Sequence, residues 1–319
     1  LSINLIGNAI TDLSPISGLT SLAELLLGHN QLADISDLSG LTGLQILDIG
    51  YNQISDISTL SSLTNLVGLN LGFGTLFLYD EFNPFDSGTN LLDDTDLAVL
   101  NSLTNLQILS IGGLENVTSI DFLNYLPNLT QLWMGHNPIT DWTPLDSVKA
   151  NLNVFFEINC GLGQTELDTY VANMTSINFV DEDNPGGLGI LFESGITDLS
   201  SLSGLNPAVV MIAGLNITDI DVVQNWTNLV FLVCAFTGIT DINSLVGLPN
   251  LSMVTLAGNN IGPTMFAGGI SPSSFDSLIS IDLSENALES INGIEYMPNL
   301  TEFLAENNQI SDISSLSSS

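Results

Sequence analysis

One phrase, I-[ST]-D-[IL]-x-x-[LI]-x-x-L, returns about every 22 residues and constrains the fold of this chain more than any other feature. It stands as Ile10-Thr11-Asp12-Leu13, Ile54-Ser55-Asp56-Ile57, Ile196-Thr197-Asp198-Leu199, Ile217-Thr218-Asp219-Ile220, Ile239-Thr240-Asp241-Ile242 and Ile310-Ser311-Asp312-Ile313, with a shorter copy at Ile139-Thr140-Asp141. A unit this small cannot bury an apolar face alone, so a period of that length means one supersecondary unit stacked many times. A solenoid offers a long open surface and no deep cleft.

A second phrase, L-x-x-L-x-L-x-x-N-x-[LI], runs between these copies. Leu22, Leu25, Leu27, Asn30 and Leu32 fit it, as do Leu44, Leu47, Ile49, Asn52 and Ile54. So do Leu129, Leu132, Met134, Asn137 and Ile139; Leu251, Val254, Leu256, Asn259 and Ile261; and Leu300, Phe303, Ala305, Asn308 and Ile310. In L-x-L both apolar side chains face one side of a strand, so stacked strands bury a continuous apolar column. The Asn closing each strand is placed to hydrogen-bond backbone groups as the chain turns, and stacked copies predict a ladder. Cys160 and Thr237 take that place in two repeats. The Asp opening each return segment predicts a cap for a short helical turn. Ser14-Pro15 and Thr143-Pro144 place proline at a first helical position. Strands are predicted to begin near residues 1, 22, 44, 66, 106, 129, 152, 186, 207, 229, 251, 278 and 300. About thirteen rungs at strand spacing make an arc about 60 Å long.

Together the two phrases are the leucine-rich-repeat signature, and I-S-D-I-x-x-L-x-x-L-T-N-L resembles the 22-residue repeats of bacterial internalin-type surface proteins. The resemblance covers nearly all 319 residues. It implies an α/β leucine-rich-repeat solenoid: a right-handed superhelix with a concave parallel β-sheet and a convex side of short helices, 3-10 turns and loops. It implies a broad role in recognition and carries no catalytic residues. One domain over 1–319 is expected. Both ends fall inside a repeat, at Leu1 and after Ser311-Asp312-Ile313, so a segment of a longer protein is expected, with any leader or anchor outside it.

The charge balance narrows the partners. Thirty-five acidic residues stand against one Lys149 and no Arg, a net charge of −34. Nucleic acid and anionic membranes are repelled, and phosphate clamping lacks its usual side chains. Such surfaces occur in secreted proteins and in proteins of saline habitats, where they serve solubility. No apolar run is long enough to span a membrane. Cys160 and Cys234 are expected to be buried and too far apart for a disulfide. Seven N-x-[ST] sequons, at Asn116, Asn128, Asn173, Asn216, Asn225, Asn250 and Asn299, are candidate glycosylation sites. The composition alone predicts about six such triplets, and several fall in the repeat phrase N-L-[ST].

Departures from the period are where repeat proteins place specificity. The largest is an insert of about 18 residues between roughly Phe73 and Asp94, holding Phe77, Tyr79, Phe82 and Phe85, which read either as a self-packed flap or as docking contacts. A second insert, near 163–187, reads as a short helix over Gln164 to Asn173, an extra strand at Ser176-Ile177-Asn178-Phe179-Val180, and an acidic turn. A third, smaller one lies near 262–270. Two acidic clusters, one of Asp80, Glu81 and Asp86 and one of Asp181, Glu182 and Asp183, could hold Ca2+. Neither has the spacing of a D-x-D-x-D-G loop, and a solvated acidic loop is the plainer reading. No other cofactor is implied.

Residues between the buried leucines face solvent on the concave sheet. One column is small: Gly28, Gly50, Gly72, Gly112, Gly135, Ala213, Ala235, Ala257 and Ser284. Beside it stand Leu26, Ile46, Ile108, Trp133, His136, Phe156, Met211, Phe231, Phe236 and Met253, the expected partner-binding residues. Toward the C-terminus the face turns acidic at Asp282, Glu285, Glu302 and Glu306. An apolar patch of this kind marks an interaction site unless the 163–187 insert covers it. His29 and His136 lie about four rungs apart, so no triad or zinc site assembles. The favoured reading is a non-enzymatic extracellular or cell-surface module for adhesion or recognition of a protein or glycan. The alternatives are a self-associating structural subunit of a surface fibre, stalk or sheath, then an intracellular scaffold, and last an enzyme.

Overall fold

The computed structural model describes residues 1–73, 90–178, 186–266 and 275–317. They form two compact units, Leu1–Gly161 and Leu162–Ser319. The first holds strands β1 (Ser2–Asn4), β2 (Glu24–Leu26), β3 (Ile46–Asp48), β4 (Gly68–Asn70), β5 (Ile108–Ser110), β6 (Gln131–Trp133) and β7 (Val154–Ile158). Each pairs in parallel with the next. The second holds β8 (Gly187–Leu191), β9 (Val209–Ala213), β10 (Phe231–Ala235), β11 (Met253–Thr255), β12 (Ser280–Asp282) and β13 (Glu302–Leu304), again parallel and in chain order. This is the leucine-rich-repeat solenoid. The thirteen strands among the described residues answer one for one to the thirteen expected starts.

Each rung closes by one mechanism. Seven apolar positions per repeat point inward: Leu22, Leu25, Leu27, Leu32, Ile35, Leu38 and Leu41 are at most 1% exposed, and so are Leu44, Leu47, Ile49, Ile54, Ile57, Leu60 and Leu63. Burying each such side chain contributes about 1.5–3 kcal/mol, so stacking rather than strand length stabilises three-residue strands. The asparagine ladder is present. Asn52 is fully buried, its Nδ2 donates to the carbonyls of Leu27, Ile49 and Gly50, and its Oδ1 accepts from the amide of Leu32. Asn30, Asn259 and Asn308 make equivalent bonds.

The Asp of the repeat phrase caps the return segment, one position earlier than a usual N-cap. Asp12 accepts from the amide of Ser14, Asp34 from Ser36, Asp56 from Ser58 and Asp141 from Thr143, each the first residue of a 3-10 helix. These backbone donors, and secondarily the Ser or Thr hydroxyl, hold the carboxyls of Asp12, Asp34, Asp56, Asp141, Asp198 and Asp312 below the ordinary range. A depressed folded value makes the caps stabilising above the unfolded value, near about 3.9, and that stability is lost as pH falls through the lower folded values. Acidification also relieves the repulsion among 35 acidic groups. At low ionic strength Tm should therefore rise from pH 7 to about 4.5 and fall below about 3.5. Molar salt should flatten the first limb by screening. A Tm that falls steadily from pH 7 in low salt would contradict this.

Two expectations about the inserts change. The large insert divides. The ladder position of the β4 rung is taken by Asn90, which donates to Ile49 and Leu71 carbonyls and accepts from Ile54. The main departure from the repeat therefore ends before Asn90. Two further extra positions fall in α1 (Asp94–Leu97), capped by Asp93. In the second insert Ser176-Ile177-Asn178 is not part of a strand; Thr175–Asn178 forms a 3-10 helix, and Ile177 is turned into the core. It follows α2 (Gln164–Thr169) and a 3-10 turn at Val171–Asn173. Burial of Leu167, Val171, Met174 and Ile177 at helical spacing overrides the alternating pattern that suggested a strand.

Candidate functional site

The outward side chains of the strands fall into register rows. In the second unit one row runs Val209, Phe231, Met253, Ser280 and Glu302, and the next runs Met211, Val233, Thr255, Asp282 and Leu304. Met253 is 47% exposed, while Phe231, Met211, Val209 and Val233 are half-buried. An apolar patch over β9–β11 thus adjoins a carboxylate-bearing patch over β12–β13, to which Glu285 and Glu306 belong. Ser280 Oγ donates to Glu302 at 2.8 Å. The described part of the 163–187 insert lies on the other side of the rungs, because α2 packs beside Ser200–Gly204 and Gln164 bonds to Thr197 and Asp198. It leaves Met211, Phe231 and Met253 uncovered.

The first unit differs. One row reads Asn4, Leu26, Asp48, Asn70, Ser110, Trp133 and Phe156. Its middle is polar and internally bonded: Asn70 Nδ2 donates to Asp48 at 3.0 Å, and Ser110 Oγ donates to the carbonyl of Phe73. The continuous apolar track expected here is therefore interrupted. Leu26 and Phe156, expected to face solvent, are only 5% exposed. Leu26 sits in register between Asn4 and Asp48, and Phe156 stacks flat on Trp133 with centroids 4.3 Å apart. Ile46, Ile108, Trp133 and His136 remain half-buried at the surface. The small-residue column is no docking track at Gly112 and Gly135, since Phe73 lies across them.

A further column was not legible in the sequence. Among the described residues, a left-handed residue stands just before the ladder position in eight rungs: His29, Tyr51, His136 and Asn159 in the first unit, Phe192, Phe236, Glu285 and Asn307 in the second, with φ from 52° to 63°. The turn aims its amide at the neighbouring rung, as in His29 N–Gly50 O at 3.0 Å and Phe236 N–Ala257 O at 2.9 Å. Glycine fills the same column at Gly7, Gly113, Gly214 and Gly258. Where side chains are present they line the edge of the face. Phe236 is 56% exposed, and His29 stacks on Tyr51 with centroids 3.9 Å apart and planes within 15°. His136 stands edge-on to Phe73 at 5.9 Å.

Other expected sites fare variously. The insert aromatics Phe77, Tyr79, Phe82 and Phe85 lie outside the described residues. So do both acidic clusters expected to suit Ca2+: Asp80, Glu81 and Asp86 in the first insert, and Asp181, Glu182 and Asp183 in the second. Among the described residues no cluster of metal-ligating side chains occurs. Cys160 and Cys234 are buried and not joined in a disulfide, and burial pushes the Cys234 thiol up to about 12, with Thr237 opposing. The sequon residues Asn116, Asn128, Asn173, Asn216, Asn225, Asn250 and Asn299 are exposed, but six of them already use Nδ2 on a backbone carbonyl. Asn128, Asn250 and Asn299 join Asn65, Asn105 and Asn151 in a second ladder, each reaching the preceding rung. The fold therefore needs these asparagines whether or not they carry sugar. Among the described residues no helix is long and apolar enough to cross a membrane.

The family model for leucine-rich repeats in two copies matches residues 104–147 and 276–318. An internalin (inlF) from Listeria monocytogenes is 27% identical with a TM-score of 0.65, over 95% of this chain and 86% of that one. A leucine-rich-repeat protein of Leptospira interrogans is 19% identical with a TM-score of 0.64, over 97% and 72%. The functional domain of InlJ from Listeria monocytogenes, which includes a cysteine ladder, is 20% identical with a TM-score of 0.61, over 98% and 64%. No curated protein sequence matches the chain.

Proposed function

We propose, from the premise that this chain is a leucine-rich-repeat protein of internalin-like build, that it is a non-enzymatic extracellular binding or adhesion module. The outward face of the second unit holds a basic protein. The observation that carries this reading is the Phe231–Met253 patch, uncovered among the described residues, beside Asp282, Glu285, Glu302 and Glu306. Large apolar side chains next to a one-sign field are how a charged partner is steered and then anchored. With one basic residue against 35 acidic ones, the complementary surface has to be cationic. The non-enzymatic reading is supported by chemistry as well. His29 is packed against Tyr51, and His136 lies beside Phe73 and Asn159. A surface location fits the internalin likeness and the acidic exterior.

The test is a solid-phase screen of the folded protein against purified extracellular proteins of basic, neutral and acidic charge. Every binder is then measured again with the double variant Phe231→Ala, Met253→Ala, whose positions are surface ones. Concentration-dependent binding confined to basic proteins is expected. The variant should weaken it at least about tenfold by losing the anchor, and salt should weaken it further by screening. Binding to none of the panel, or undiminished binding by the variant, overturns the reading.

A further inference from the structure

We propose that the element of the partner seated on the second unit is a basic amphipathic α-helix lying along β10; this rests on the protein-binding reading above. β10 carries an unbroken apolar line from one edge of the face to the other. Val230, just before the strand, is 41% exposed, and Phe236, just after it, is 56% exposed. Phe231 and Val233 are half-buried at the outward positions between them. Register sets Val209 and Met211 of β9 on one side of this line and Met253 and Thr255 of β11 on the other. None of these side chains is charged, in a chain of net charge −34. From Val230 to Phe236 the line is roughly 20 Å long at strand rise, the length of a helix of about 13 residues.

The hydrogen bonding of this face selects a helix over an extended segment. β9, β10 and β11 each pair with a strand on both sides, so their backbone donors and acceptors are taken up within the sheet. Of the outward side chains on these three strands, only Thr255 carries a hydroxyl or an amide. An extended partner strand laid there would hide its own amides and carbonyls from water with nothing to meet them. A helix satisfies its backbone internally and offers one apolar stripe between polar flanks. Its width fits as well. Register sets Asp282 beside Thr255 and Glu302 beside Ser280, and Glu285 stands exposed in the left-handed column of the β12 rung. β12 runs about 10 Å from β10, about one helix width. A helix over β10 and β11 therefore brings basic side chains on one flank to these carboxylates while its apolar stripe meets Val230, Met253 and Phe236.

The probe is a labelled peptide of leucine and lysine, about four helical turns long, with its leucines on one helical face. Two comparison peptides carry the same charge: one with the leucines spread around the helix, and one with prolines in the middle that forbid it. Fluorescence anisotropy reads binding at physiological salt, and circular dichroism reads peptide helicity. The amphipathic peptide should bind saturably and gain helix on binding, with both comparison peptides at least about tenfold weaker. The double variant Val230→Ala, Phe236→Ala, altered only at exposed side chains, should also weaken binding at least about tenfold. Tyr125→Ala, which removes a similarly exposed ring from the first unit, should not. No binding of the amphipathic peptide, binding without gain of helix, equal affinity for a comparison peptide, or undiminished binding by the double variant would each overturn the proposal. If basic proteins still bind through Phe231 and Met253 while the peptide does not, the helix is wrong and the protein-binding face stands. Loss of both is the failure of that face.

Discussion

Asn52→Leu should destabilise the first unit by about 4 kcal/mol, although leucine fills the same space with apolar atoms. The side chain of Asn52 is fully buried, and it satisfies the carbonyls of Leu27, Ile49 and Gly50 and the amide of Leu32. Leucine leaves these groups away from water without partners, each at a cost of about 1–3 kcal/mol. Asn308 is the matched control, bonding to Leu283, Ala305 and Glu306 carbonyls and the Leu288 amide, but from a half-exposed position. Water replaces the lost bonds there, so Asn308→Leu should cost about 1 kcal/mol. Urea midpoints read both changes, and hydrogen exchange locates them, because a solenoid loses stability rung by rung. Equal losses for the two variants would show that the ladder is not held by buried bonds.

Gly72→Ala should cost more than about 3 kcal/mol, beyond the usual range for one added methyl. A Cβ on Gly72 would stand 1.8 Å from the carbonyl oxygen of Gly112, and one on Gly50 would stand 2.1 Å from the oxygen of Gly72. Backbone meets backbone at both places, so no side chain can rotate away. The small-residue column is therefore a requirement for close packing of successive turns. Displacing the turn at Gly72 also moves Phe73, whose ring lies over Gly112 and Gly135. Gly18→Ala adds the same methyl where nothing lies within 4 Å and should change stability by less than about 0.5 kcal/mol. Similar thermal midpoints for the two variants would contradict the steric reading.

The inward half of this molecule was legible from the repeat. Leu25, Leu47 and Leu69, the ladder residues Asn30 and Asn52, and the capping aspartates Asp34 and Asp56 follow from one 22-residue phrase, because each makes the same contacts within its own turn or with an identical neighbour. Asn90 was not read as a ladder residue, because the insert was expected to run to Asp94, although Asn90 opens an N-x-L with Leu91 and Leu92. The outward half was decided by tertiary structure. Leu26 is buried and Met253 exposed although both occupy outward strand positions, since their surroundings come from residues 22 or more positions away that share no common phrase. His29 and Tyr51 meet only because both precede a ladder asparagine and share its left-handed turn. Burial in a stacked repeat is a property of one rung, whereas the chemistry of its surface is a property of neighbours, and only folding chooses the neighbours.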